Sequence, residues 1–96
     1  MDDLIYVMVV SEGSNFDRRV ARVNGSDGGM DGIDLFGLDE GIEQSDSVST
    51  YFLWSELVQL SEIDYDVLLT AYREGNREPF IQFEEDLAAG YYQLMG

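Results

Sequence analysis

The side chains able to act on a substrate or a partner are carboxylates, hydroxyls and guanidinium groups. In 96 residues the chain carries 20 Asp and Glu against five Arg, with no Lys, His or Cys, for a formal net charge of −15. Those absences remove His-based nucleophile systems, thiolates, Schiff-base amines, the P-loop lysine and nearly every zinc site. A carboxylate pair can still perform glycosidase-type acid/base chemistry, but this requires a cleft for several sugar rings and one carboxyl raised in pKa by burial. A chain this short seldom provides both, so a non-enzymatic protein with no cofactor and no metal is expected.

The acids are unevenly placed. The flanks carry net charges of −1 and −3, while the stretch from Val23 to Tyr72 carries −11 and no base. Its acids, Asp27, Asp31, Asp34, Asp39, Glu40, Glu43, Asp46, Glu56, Glu62, Asp64 and Asp66, are the candidate partner-binding residues. Asp39, Glu40 and Glu43 would share one face of a helical turn. Glu62 and Asp66 form an i, i+4 pair of like charge, costing about 0.2–0.5 kcal/mol in an isolated helix. Self-repulsion on this scale destabilises a compact state, so a pressure other than folding must retain the carboxylates. Asp31, Asp34, Asp39, Glu40 and Glu43 lead the set, because loops on a rigid scaffold are where binding residues concentrate. Glu84, Glu85 and Asp86 form a smaller cluster, read as an N-terminal helix turn favoured by the macrodipole.

One domain of α+β class must position these groups: a small antiparallel sheet with two or three helices packed on one face. Leu4–Val10 is a β-branched-rich apolar run that follows Asp2 and Asp3 and is too short to cross a bilayer, so it reads as a buried strand. Phe16–Val23 fits a helix or the second strand of a hairpin, and the hairpin is preferred. Residues 24–47 hold six glycines and read as a long loop, with a short strand near Ile33–Phe36 and a helical turn near Leu38–Glu43. Ser49–Trp54 reads as a strand, and Ser55 and Ser61 as N-caps of two helical stretches. In the second of these Ile63, Val67, Leu68 and Ala71 form an apolar stripe that ends at Gly75-Asn76. Pro79 opens a last helix with Phe80, Phe83, Leu87 and Tyr91 on one side, and Gly90 leaves Tyr91–Met95 as its tail or a closing edge strand.

Three readings of the charge follow. Adaptation to a salt-saturated cytoplasm fits the lack of lysine, but the chain also holds five Phe, six Tyr, one Trp and four Met, which suit contact anchors. Calcium binding by an EF-hand loop starting at Asp27 fails, because Gly29 and Leu38 occupy positions that need oxygen ligands. The third reading is imitation of a nucleic-acid backbone. Duplex DNA presents one charge per about 1.7 Å of axis, and a rigid domain with comparable carboxylates can occupy the basic groove that holds it.

On size, on the −11 stretch and on the lack of Cys, His and Lys, the chain resembles the class of small acidic DNA-mimic inhibitors of phages and mobile elements, of anti-CRISPR type. No motif is involved, so no residue roles carry over. The resemblance implies a partner with a basic groove, first a Cas effector complex whose target-DNA (PAM or duplex) binding is blocked, and second a nuclease toxin met by an immunity-type inhibitor. Direct nucleic-acid binding and membrane binding are not expected; a monomer in the cytoplasm, the host's if phage-encoded, is.

Overall fold

The computed structural model describes residues 4–14, 16–35 and 50–96, less the side chain of Asp27. Its elements are β1 (Leu4–Val9), β2 (Val20–Asn24), β3 (Gly32–Asp34), β4 (Tyr51–Leu53), β5 (Leu57–Leu60), α1 (Glu62–Glu74) and α2 (Glu78–Ala88), with 3₁₀ turns at Gly25–Asp27 and Trp54–Glu56.

The N-terminal run is continuously apolar because β1 is the central strand of a sheet covered on both faces. The order is β2-β1-β5, both pairings antiparallel, with Met8 opposite Val20 and Val58, and Tyr6 opposite Arg22 and Leu60. Side chains alternate across the pleat. Val7, Val9, Ala21, Val23 and Leu57 therefore meet Phe16 of the β1–β2 turn and Ile33, Leu35 and Phe52 of the β3–β4 ribbon layer. Met8, Val20, Val58 and Leu60 meet Tyr65, Leu68 and Phe83 of the two helices. The result is the expected α+β class, with a second, two-stranded sheet covering the face away from the helices.

The hairpin reading of Phe16–Val23 holds. The Arg18 N–H donates to Val9 C=O at 2.8 Å and the Val9 N–H donates to Arg19 C=O at 2.9 Å, so two residues face one, with Arg18 at φ +64°. This is a β-bulge whose left-handed first position is ordinarily taken by glycine.

Several expectations are corrected. No α-helix follows Ser55: a single 3₁₀ turn, in which the Leu53 N–H donates to Glu56 Oε1 at 3.0 Å, leads into β5. The free edge of β1 decides this, because its buried backbone groups need partners that a helix there cannot supply. Ser61 does cap α1, its Oγ accepting the Asp64 N–H at 3.1 Å, and Gly75 ends it at φ +70°. The buried positions of α1 are Tyr65, Leu68 and Ala71, whereas Ile63 and Val67 face outward at 76% and 50% exposure. α2 starts at Glu78 with Pro79 second, and Tyr91 lies beyond it and exposed. Glu84, Glu85 and Asp86 fall in the C-terminal half of α2, where the macrodipole disfavours them, so that reading of the cluster is withdrawn. Past Gly90, Leu94 bridges Val58 and the Met95 N–H donates to Leu57 C=O at 2.9 Å, which closes the outer edge of β5.

Candidate acidic interface

The ribbon layer presents the first group of carboxylates. Its strands are in register Gly32–Leu53, Ile33–Phe52 and Asp34–Tyr51. At Gly32 any Cβ would collide with the Phe52 backbone, so only glycine allows this approach. The segment before it is gripped by Trp54, whose Nε1–H donates to Gly29 C=O at 2.9 Å and whose backbone N–H donates to Asp31 C=O at 2.9 Å. The indole also fills the place a Cβ on Gly28 would take. This clasp holds out Asp31, exposed, beside Met30 at 98% exposure. Asp34 is exposed too, but its Oδ1 accepts the Thr50 hydroxyl at 2.5 Å and so also ties the ribbon together. Asp27 lies in the 3₁₀ turn that Asn24 caps. The sequence flagged the acids of this loop; it did not flag Trp54 or Met30, because the grip depends on residues about twenty-five apart.

Glu56 is engaged within the fold. The Ser11 hydroxyl donates to its Oε2 at 2.7 Å, and this bond, with that from the Leu53 N–H, holds its carboxyl below the usual carboxylate range.

The second group begins α1. Glu62 and Asp66 are exposed one turn apart, as expected for a repelling pair. Asp64 is half-buried, and its Oδ2 accepts the Tyr92 hydroxyl at 2.7 Å. Burial, and then this bond, push the Tyr92 phenol up to about 12. Asp64 and Asp86 line a cleft of about 130 Å³ between α1 and α2, and Asp66 and Glu74 line an adjoining groove of about 390 Å³. Val67 and Pro79 belong to both, so apolar surface sits among the carboxylates.

The described acids therefore form two groups on opposite layers of the sheet. Asp39, Glu40, Glu43 and Asp46, with the helical turn expected near them, lie outside the described residues. Arg18 pairs with Asp17 at 2.7 Å and with Glu84, and the bond to Glu84 leads the interactions that raise its pKa. Neither acid belongs to the −11 stretch. Among the described residues no three acids stand together as a metal-ligand set, and no helix is long and apolar enough to cross a membrane. The sequence matches no protein-family model, and no curated protein or solved structure resembles it closely enough to bear on its function.

Proposed function

We propose that the chain is a non-enzymatic DNA-mimic inhibitor that occupies the basic nucleic-acid-binding surface of a protein, first of all the target-DNA groove of a Cas effector complex in a host cytoplasm. One observation carries the reading: Asp31, Glu62 and Asp66 stand exposed on a doubly covered sheet, and the acids that Arg18 engages come from outside their stretch. Carboxylates held at fixed positions lose little freedom on docking, which favours affinity, and they release the counterions a phosphate backbone would release. Met30, Ile63 and Val67 supply exposed apolar contacts beside them.

The test combines capture and charge reversal. The tagged protein, incubated with nuclease-treated lysates of bacteria carrying CRISPR-Cas systems and eluted in a salt gradient, is expected to retain one nucleic-acid-binding complex that duplex DNA competes away. Changing Asp31, Glu62 and Asp66 together to Arg is expected to weaken that binding by at least about tenfold while the circular dichroism spectrum is kept. Unchanged affinity after the reversals would refute the proposal.

A further inference from the structure

Arginine is scarce in this chain, yet Arg18, Arg19 and Arg77 line a single open cavity of about 420 Å³ where the β1–β2 turn meets the joint between α1 and α2. Arg18 is neutralised there by Asp17 and Glu84. The other two are not: among the described residues, neither Arg19 nor Arg77 pairs with a carboxylate. With four acids for every arginine, neutralising them would need only a neighbouring side chain of the commonest charged type.

Their geometry suits an oxyanion. The Arg19 guanidinium lies 4.6 Å from the centre of the Tyr72 ring and 5.6 Å from that of Phe16. Cation–π contact occupies the faces of the planar group and leaves its in-plane N–H donors for a bidentate acceptor. Arg77 is exposed at the N-cap of α2, whose first N–H, that of Glu78, donates to Asn76 Oδ1 at 3.1 Å, so the guanidinium and not the helix end is what faces this space. Phe80, half-buried against the core, adds an aromatic side chain to the lining. Two guanidinium forks beside an aromatic side chain call for an anion carried on a flat ring, in a volume within the range of small-molecule sites.

We propose that this cavity binds a phosphomonoester of an aromatic base, the chemistry of a nucleoside monophosphate. The site adjoins the groove of Asp66 and Glu74, with which it shares Ala71 and Asn76, but it needs no macromolecular partner, and its test uses the isolated protein. Amide chemical shifts are followed while AMP, adenosine or inorganic phosphate is added. AMP is expected to give saturable shifts confined to residues 17–19, 71–72, 75–77 and 80, with adenosine and inorganic phosphate each binding at least about tenfold more weakly. Arg77→Gln, which changes an exposed side chain, is expected to weaken AMP about tenfold with the fold unaltered. No saturable shift up to about 10 mM AMP would overturn the assignment. So would equal binding of phosphate or adenosine, or an unchanged affinity in Arg77→Gln.

Discussion

Tyr92 and Asp64 join the C-terminal segment to the start of α1 through one charge-assisted hydrogen bond. Its pKa rises in the folded chain first because burial disfavours the phenolate, and then because the phenol must keep its proton to donate. With an unfolded value near 10 and a folded value of about 12, the bond contributes fully below the first and is lost as the pH rises through the second. Tyr92→Phe is therefore expected to cost about 1 kcal/mol at neutral pH. Urea unfolding across a pH series should show this difference constant up to about pH 10 and closing towards pH 12. A gap that stays constant to the alkaline end would show that the hydroxyl has another role.

At the scale of elements, the β1–β2 hairpin carries its strain in the bulge. Arg18 holds a left-handed conformation that costs a non-glycine residue about 1 kcal/mol or more, while its partly exposed ion pairs contribute about 0–1 kcal/mol. Arg18→Ala loses the pairs and keeps the strain; Arg18→Gly loses the pairs and relieves it. Arg18→Gly is expected to be about 1 kcal/mol more stable than Arg18→Ala in denaturant titrations, against the usual ranking within a strand. The reverse order would mean that the turn relaxes to another geometry once the guanidinium is gone. The helices show how much of an element is local. Ser61, Gly75 and Pro79 were legible as start, stop and restart signals because each acts on the backbone within a few residues. β5 was not legible, since Ser55-Glu56 begins a turn that suits a helix as well as a strand, and the choice lies with an unpaired edge some fifty residues away. The stripe of α1 was misjudged for a related reason: Ile63 and Val67 satisfy helical periodicity, but Tyr65, with its ring 4.9 Å from that of Tyr6, takes the place against the sheet.

For the molecule as a whole, a charge of −15 makes ionic strength the sharpest probe. Raising the salt from about 0.01 M to 1 M shortens the screening length from about 30 to 3 Å and relieves repulsion between surface carboxylates. A mimic must be folded where its partner binds DNA, so circular dichroism and heat denaturation should show a cooperative native state in dilute buffer, with the midpoint rising as salt is added. A chain unfolded until the salt approaches molar would instead support acidification for a brine-like cytoplasm. Partner affinity should move in the opposite direction, falling with salt as counterion release loses its advantage.

By itself the sequence determined the α+β class, the buried first strand, the Ser61 and Gly75 ends of α1 and the −11 stretch, because composition, periodicity and capping act over a few residues or depend on no geometry at all. It also placed Asp31, Glu62 and Asp66, which are exposed, among its eleven candidate acids, along with Glu56 and Asp64, which are half-buried and hydrogen-bonded within the fold. Only the tertiary structure decided that Trp54 grips the glycine-rich loop, that Glu56 is engaged by Ser11 and that Arg19 and Arg77 face one cavity. Each of these joins residues far apart in the chain, brought together by burial of the two faces of one sheet, and short-range pattern carries no record of which distant side chain fills the remaining space.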